Sequence, residues 1–599
     1  MATSETTELL SGLNADVLNA LARKVGAPTA SMRKLDVIDA LERLLLSNPR
    51  QIVDLLSDVE KKLVAEMAYS DGPLDAHQFE AKHGVQWPAL GPRGYPSTDS
   101  SPLLIFVGTG YGRVSPAVAQ ALRGVLEPPP AAAIAVTDAL PAEYLLPGNW
   151  RKGESRPLQV YEGEAVVFPE LRSVLKLVQA GKLKVTEKSN RPTDQAVRRI
   201  NEVLVVPDFS LEPPAEEAGQ WTQHAGPVRA HAWGALVQQC GWAKAKAGKL
   251  VLTDEGQKLL GTADPAAFAK GVGEFIGDDE LDEFNRINHI HGQSGKGQRF
   301  MTFPVERREA IVESMEGWPV NQWIAFDQAA RHVWASGNGF DVTEATDSLY
   351  LGDAHYGRLY GGSLEISRLY LRAFLMESMA TLGLVDIAYT YPHDLWPEQH
   401  QSWNSGDGLD FIGRYDGLLY VRLNPLGAYC LELTDAYQPR ATQAARPFRV
   451  LANREVALLD GGQPSAADRH LLELFATPKS EFVWVLDTAR ILTHVESGGA
   501  LDEVTRFLES NSSVPIPETV AAMLADLARR SAAVVGAEEA LLIEFQDETA
   551  AALAAHDTQT ARYCHLAGKK HVAVPKKNLR AFRSAIKKLG FVIPDRLTQ

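Results

Sequence analysis

Cysteine is scarce in this 599-residue chain. Its three cysteines, Cys240, Cys430 and Cys564, lie far apart and are odd in number. They therefore provide neither a disulfide framework nor a zinc site with closely spaced ligands. The sequence predicts a protein that resides in a reducing compartment.

Long apolar runs are also missing. No stretch approaches the roughly 20 uninterrupted apolar residues that a membrane span needs. The first residues, 1–8, are polar and acidic, and no basic region leads into an apolar run. We therefore expect no secretory signal and no contact with a membrane, and we predict a cytoplasmic protein.

Positive charge is in deficit overall but concentrated locally. The net charge of −15 argues against a protein that coats nucleic acid over its whole surface. Residues 558–594 nevertheless contain no acid and nine cations. These are Arg562, Lys569, Lys570, Lys576, Lys577, Arg580, Arg583, Lys587 and Lys588. A second basic segment, 172–199, has eight cations, including Arg172, Lys176, Lys182 and Lys184, against Glu187 and Asp194.

No catalytic constellation is visible. The candidate phosphate loop, 292–297, has the wrong spacing and ends in Gly297 where a magnesium-binding hydroxyl belongs. His289 and His291 form an isolated His-x-His pair, which is weak evidence for a metal site. The acidic run 278–283 predicts a solvated helix face. We predict no catalytic residues, no metal and no cofactor.

The chain is long enough for several domains, and its composition suggests where they meet. The Pro-rich stretch 127–133 is the clearest linker. Helical periodicity before it predicts a helical hairpin that resembles small SAP-type DNA-binding units; an ordinary packed hairpin is the alternative. An apolar run, 103–107, predicts a strand. The predicted domains are 1–48 (helical hairpin), 49–127, 134–265 and 266–445 (winged-helix-like), and 446–599.

A recurring pattern supports the winged-helix assignment. A helix over 230–239 is followed by two short strands around a glycine turn, and then by Thr253 and Gly256 ahead of an apolar stretch. Thr253 is expected to cap the next helix. The order recurs downstream, where Asn424 and Gly427 occupy the corresponding places, and residues 111–123 form a looser third match.

The last quarter resembles a known domain. Residues 471–477 (LLELFAT), 514–520 (VPIPETV) and the closing segment 579–594 follow one another in a characteristic order. In this order they are similar to the N-terminal domain of XPB-type DNA helicases, which also occurs in bacterial helicase-associated proteins. The resemblance implies a C-terminal α/β domain that faces DNA, without the motor domains of the helicases.

These observations predict a mixed α+β, helix-rich, multi-domain array of winged-helix units with an XPB-like C-terminal domain. The predicted function is a non-catalytic DNA-binding or adaptor subunit, acting with a separate motor or nuclease in DNA repair, transcription or antiviral defence. A protein scaffold without nucleic-acid contact and an unrecognised metal-dependent nuclease are the alternatives. The predicted nucleic-acid-binding residues are Arg172, Lys176, Lys182, Lys184, Lys569, Lys570, Lys576, Lys577, Arg580, Arg583 and Lys587.

Overall fold

The structure is a computed structural model. It describes residues 5–30, 32–70, 72, 74–92, 94–108, 114–146, 153–209, 225–262, 264–287, 290–292, 301–344, 349–353, 357–360, 363–393, 395, 411–438, 447–459, 466–497, 499–533 and 537–594. The chain divides into two units, Met1–Thr442 and Gln443–Gln599. In both units more residues lie in helices than in strands, which confirms the predicted mixed, helix-rich class. In the described part of the chain, no helix has the length and apolar character to cross a membrane.

The first part of unit 1 is helical. Its helices are α1 (Glu5–Ser11), α2 (Ala15–Lys24), α3 (Lys34–Ser47), α4 (Pro49–Val53), α5 (Asp58–Tyr69), α6 (Ala76–His83), α7 (Leu104–Val107) and α8 (Pro116–Arg123). One hydrophobic core runs from Leu10 to Leu122. It includes residues on both sides of residue 48, where the sequence predicts a domain boundary. The predicted strand 103–107 is wrong, because α7 occupies it and its four residues are all buried.

The rest of unit 1 alternates helices with short antiparallel strands. The helices are α9 (Gly163–Gln179), α10 (Asp194–Asn201), α11 (Arg229–Gln239), α12 (Asp254–Gly261), α13 (Pro265–Ile276), α14 (Pro304–Ser314), α15 (Phe326–Ala335), α16 (Ser363–Ala373) and α17 (Pro425–Cys430), and a π-helical turn, Phe374–Met379, extends α16. The strands are β1 (Glu143–Leu145), β2 (Ser155–Pro157), β3 (Gln159–Tyr161), β4 (Ala243–Lys246), β5 (Lys249–Leu252), β6 (Ile290–Gly292), β7 (Ile324–Ala325), β8 (Leu349–Asp353), β9 (Gly357–Tyr360), β10 (Val385–Tyr389) and β11 (Leu418–Leu423).

Two modules in this region share one order of elements. In the first module, α9, an extended segment at 183–185, α10, α11 and the hairpin β4–β5 follow one another. In the second module the order is α14, β7, α15, α16 and the hairpin β10–β11. In both, the extended segment after the first helix pairs with the second hairpin strand, through Lys184↔Lys249 and Ile324↔Val421. Strand β3 pairs with β10, so the sheet of the second module includes a strand from before residue 265.

The two hairpins start and end alike. Each follows a glycine with positive φ, Gly241 at 70° and Gly383 at 67°. Each ends at a capped helix: the Thr253 side chain accepts a hydrogen bond from Gly256 N (3.1 Å), and that of Asn424 accepts one from Gly427 N (2.9 Å). The predicted cap at Thr253 is confirmed. The looser third match has valine instead of glycine at this place. Ser115 caps α8 by accepting a hydrogen bond from Val118 N.

Unit 2 has two hydrophobic cores. A four-stranded antiparallel sheet, ordered β12-β13-β15-β14, packs with helices around the first core, and a three-stranded sheet, ordered β16-β18-β17, packs with two helices around the second. The strands are β12 (Phe448–Val450), β13 (Glu455–Leu458), β14 (Ala476–Ser480), β15 (Val483–Leu486), β16 (Ala540–Glu544), β17 (His565–Leu566) and β18 (His571–Pro575). The helices are α18 (Ala466–Phe475), α19 (Thr488–Glu496), α20 (Leu501–Asn511), α21 (Glu518–Ser531), α22 (Glu548–His556) and α23 (Leu579–Ile586).

Candidate nucleic-acid interface

The hairpin β4–β5 carries lysines on one side. Its two-residue turn has positive φ at both positions, 52° at Ala247 and 73° at Gly248, as in the turn type that matches the twist of paired strands. Lys246 pairs with Lys249 across the hairpin. Paired residues point to the same side of a sheet, as do residues two apart in a strand. Lys244, Lys246 and Lys249 therefore share one face.

The segment 183–185 adds a third strand to this sheet. Leu250 N donates to Leu183 O and Val185 N donates to Gly248 O, both at 3.0 Å. The bridge between Lys184 and Lys249 places the Lys184 side chain beside the other lysines. We call Lys184, Lys244, Lys246 and Lys249 the lysine face.

The two sides of this sheet differ sharply in character. The side away from the lysines is apolar and packs inward, and its buried members are Leu183, Val185, Ala243 and Leu250. All four lysines of the lysine face are exposed. None of them has an ion-pair or hydrogen-bond partner for its ammonium group among the described residues. On a backbone held by a tight turn, four positive charges therefore stand together without an acidic partner in the part of the chain that the structure describes.

The predicted residues of the middle basic segment divide into two groups. Lys184 belongs to the lysine face, and Lys182 is exposed next to it, with its carbonyl oxygen accepting from Arg199 Nη1 at 2.7 Å. Arg172 and Lys176 lie on α9 and are half-buried. Burial lowers the pKa of both, and the charge of Arg172 lowers that of Lys176 further. These two side chains are less available to a ligand than Lys182 and Lys184.

Sequence reasoning missed Lys244, Lys246 and Lys249. They lie about 60 residues beyond Lys184, and only the register of the three strands brings them beside it. The signal was the alternation of lysine with alanine over 243–246, followed by Lys249 after the turn. Alternation of this kind marks a strand with one charged face.

Three lysines of the basic segment at the end of the chain are paired with acids that precede the segment. Strand β18 runs beside β16, and its end brings Lys576 to Glu539 (2.7 Å) and Lys577 to Glu538 (2.6 Å). Lys569 lies 3.7 Å from Glu548. The Lys570 ammonium donates to the carbonyl oxygen of Gln546 at 3.1 Å. The acids stand outside 558–594, so the sequence window without acids did not reveal this pairing.

Helix α23 has the two faces that its sequence predicts. Phe582 and Ile586 are fully buried in the second core of unit 2. Arg580 on the opposite side, and Lys587 directly after the helix, are exposed and have no ion-pair or hydrogen-bond partner among the described residues. Arg583 is half-buried and donates from Nη2 to the Ile593 carbonyl oxygen at 2.7 Å, so it fastens the end of the chain. This helix offers fewer unpaired cations than the lysine face.

The third helix of each module is closed to ligands. In α11, eight of the eleven residues are buried, including Arg229 and Trp233. In the second module, all six residues of the π-helical turn Phe374–Met379 are buried. A helix inserts into a DNA groove only with an exposed polar face. Neither helix has such a face among its described side chains, so the hairpins are the better candidates for contact with nucleic acid.

The acidic run 278–283 does not form a solvated helix face, contrary to the sequence prediction. Helix α13 ends at Ile276, and a 3-10 turn begins at Glu283. Asp282 accepts two hydrogen bonds from Arg307, and Glu283, 1% exposed, is paired with Arg308. The arginines arrive from α14, so sequence neighbours gave no sign of them. Their charges balance Asp282 and Glu283, whereas Asp279 and Glu280 of the same run are exposed.

Glu377 is the centre of a second buried cluster. It contacts Arg286, His231 and the Tyr415 hydroxyl. Burial alone would raise its pKa, but the charges of Arg286 and His231 and the hydrogen bonds outweigh burial and lower the pKa to about 2. The carboxylate is thus held ionised as a structural anchor between α11, the turn Glu283–Arg286 and the segment before β11.

The two weak motifs from the sequence lie mostly outside the described residues. His289 and residues 293–297 fall there, while His291 belongs to β6. Within the described ranges, no three His, Cys, Asp or Glu side chains are grouped so that they could hold a metal ion.

Comparison with known proteins gives no family for this chain: no family model matches it, and no curated protein is similar to it in sequence.

Proposed function

We propose that this protein is a non-catalytic nucleic-acid-binding adaptor that holds the phosphate backbone of DNA on its lysine face. The observation that carries the proposal is the cluster of four exposed, uncompensated lysines in a chain whose net charge is −15. Lysines that neutralise phosphates release counterions, and this release supplies most of the free energy of non-specific binding.

We also propose that both modules are winged-helix units. Their support is the shared order of a helix, a strand, two helices and a hairpin, with the first strand paired to the second hairpin strand. In this interpretation the lysine face belongs to the wing of the first module. The same interpretation assigns a packing role to the second module, whose hairpin lacks a lysine cluster.

The mode of binding follows from which surfaces are open. Base edges in the major groove are read by side chains of an inserted helix or ribbon, and the third helices are buried. Phosphate contacts position a protein on nucleic acid without reading its sequence. We therefore expect weak sequence preference and strong dependence on salt.

The XPB-like interpretation of residues 446–599 stays part of the proposal, together with a separate motor or nuclease as partner. Its support is the order of sequence motifs that ends at Pro594, and the sequence of this chain has no phosphate loop of its own. DNA repair, transcription and antiviral defence remain the processes in which such an adaptor is expected to act.

Fluorescence anisotropy with single-stranded, duplex and forked DNA at several salt concentrations tests the proposal. We expect the quadruple variant Lys184→Ala, Lys244→Ala, Lys246→Ala and Lys249→Ala to lose most of its affinity. The slope of log affinity against log salt should fall by about 3 to 4 in magnitude for duplex DNA, since each phosphate contact contributes roughly 0.9.

A matched control removes four exposed cations that have carboxylate partners and are not among the predicted nucleic-acid-binding residues: Lys270, Lys479, Arg506 and Arg529. Its net charge equals that of the test variant, but its affinity and salt slope should stay close to those of the wild type. No binding at low salt, or equal losses in the two variants, would contradict the proposed site.

A further inference from the structure

A groove of about 500 Å³ lies beside strand β5, next to the lysine face. One wall is the end of α9, with Val178 and Gln179, and the other is β5 itself, with Leu250 and Leu252. Lys246, Lys249 and Gln257 also line the groove. The groove therefore has aliphatic side chains on both walls and two ammonium groups among its lining residues.

Strand β5 leaves part of its edge open along this groove. Lys246 and Lys249 flank a two-residue turn and so form a hydrogen-bonded pair of the hairpin. Trp242 and Thr253, four residues further along each strand, are also such a pair, since Thr253 N donates to Trp242 O. Hydrogen-bonded pairs alternate with non-bonded pairs along the hairpin. The amides of Leu250 and Leu252 therefore point away from β4. Leu250 N is taken by Leu183 O. Leu252 N and Leu250 O have no backbone partner among the described residues.

The chain diverges where a neighbouring strand would continue. The segment 183–185 pairs with β5 only near Lys249, and the residues before it turn away into the end of α9, with Lys182 N bonded to Leu177 O. The place beside Leu252 that another strand residue would occupy is the groove. An open strand edge next to a groove is the arrangement in which an extended peptide adds to a sheet.

We propose that this groove docks an extended segment of a partner protein in which acidic and apolar residues alternate. The segment continues the sheet beside β5 by bonding to Leu252 N and Leu250 O. Successive side chains of a strand point to opposite sides. Its apolar side chains then contact the half-buried Leu252, since Val178 and Leu250 are themselves buried, while its acidic side chains face Lys246 and Lys249.

Charge and wall chemistry favour a peptide over nucleic acid as the occupant. The groove offers a backbone donor and acceptor at strand spacing, which a peptide backbone matches. No aromatic ring of a described residue lines the groove, whereas unpaired bases are held mainly by stacking on aromatic side chains. The groove shares Lys246 and Lys249 with the lysine face, so a docked segment and DNA compete for these two lysines, although peptide binding itself needs no nucleic acid.

The test uses the full chain and a dye-labelled peptide of four alternating glutamate–valine pairs, capped at both ends. We expect saturable binding by fluorescence anisotropy. Lys246→Glu and Lys249→Glu should each weaken it about tenfold, because attraction at the rim becomes repulsion. Gln257→Trp, which fills the groove and leaves every lysine in place, should abolish it.

Lys258→Glu is the matched control for charge, since Lys258 is exposed on α12 beside Gln257 but does not line the groove. Its peptide affinity should stay within about threefold of the wild type. A peptide N-methylated at alternate amides, prepared in both registers, keeps its charge but should lose binding in one register, because methylation blocks strand pairing.

Binding that survives Gln257→Trp, or that is equal for both methylated peptides, would overturn the docking site. A Gln257→Trp variant that no longer binds single-stranded DNA but still binds the peptide would also overturn the docking site. Failure of the nucleic-acid proposal is recognised separately, because it appears as a lack of salt-dependent DNA binding in the wild-type chain.

Discussion

Replacing either of two corresponding glycines by alanine should destabilise its own module. A Cβ at Gly256 would lie 1.9 Å from Trp242 O, and a Cβ at Gly427 would lie 1.9 Å from Leu384 O. Ordinary contacts of a Cβ begin near 3.4 Å, so the helix and the strand must separate by about 1.5 Å. The separation strains the bond from Thr253 N to Trp242 O, now 3.1 Å, and its counterpart from Asn424 N to Leu384 O, now 3.4 Å.

The magnitude follows from three contributions. Overpacking of a close contact costs about 1–3 kcal/mol, and a weakened hydrogen bond costs about 1 kcal/mol. Alanine gains roughly 1 kcal/mol over glycine in a helix. We therefore expect each variant to lose about 2 kcal/mol. Gly273→Ala is the matched control, because nothing lies within 4 Å of its Cβ and it sits inside α13. It should stabilise the protein by about 0.5–1 kcal/mol.

Hydrogen exchange measured by mass spectrometry locates each effect. Gly256→Ala should speed exchange mainly over 241–261 and Gly427→Ala mainly over 418–431, because each clash first opens the backbone next to it. Urea unfolding gives the accompanying loss of stability. If either variant matches Gly273→Ala in stability and exchange, the close approach of helix and strand described above is refuted.

Three further predictions concern buried or strained positions. Burial raises the pKa of Asp416 to about 6, against the lowering effects of Arg372 and two backbone amides. The neutral carboxyl is therefore compatible with burial, and the folded state is favoured by about 3 kcal/mol below about pH 4, a contribution that is lost as the pH rises through 6. In urea unfolding measured from pH 4 to 7, Asp416→Asn should remove this loss of stability. Identical pH profiles for the variant and the wild type would contradict the raised pKa of Asp416. Glu283→Ala leaves Arg308 buried without its carboxylate and should lower the free energy of unfolding by about 3–5 kcal/mol. The loss is measured as a lower midpoint of urea unfolding, and a loss below about 1 kcal/mol would show that the pair is not buried. Ala247→Asn should stabilise the β4–β5 hairpin by about 0.5–1 kcal/mol, since asparagine tolerates positive φ better than alanine, and unchanged hydrogen exchange over 243–252 would argue against that backbone conformation.

Local patterns in the sequence predicted the fold best where one short segment determines the structure. The helix expected at 230–239 coincides with α11, and the cap at Thr253 forms as predicted. Both depend on periodicity or on a single side chain near its own backbone. The apolar run at Leu104–Val107 failed because a buried helix and a buried strand share that composition.

Features that depend on distant partners were not predictable in this way. Glu283 gave no sign of Arg308, which is 25 residues away, and the acids at 538 and 539 stood outside the window that made the last basic segment look uncompensated. The lysine face required the register between 184 and 249. Charge counted along the chain measures local composition, whereas a site depends on which charges folding brings together or neutralises.

The register that assembles the lysine face also sets like charges against each other. Lys184, Lys249 and Lys246 stand in one row across three strands, about 4.8 Å apart from strand to strand. Like charges directly opposite in a sheet repel, so the empty sheet is less stable than the same sheet with an anion across the row. Multivalent anions such as sulfate should therefore raise the melting temperature of this module more than chloride does at equal ionic strength.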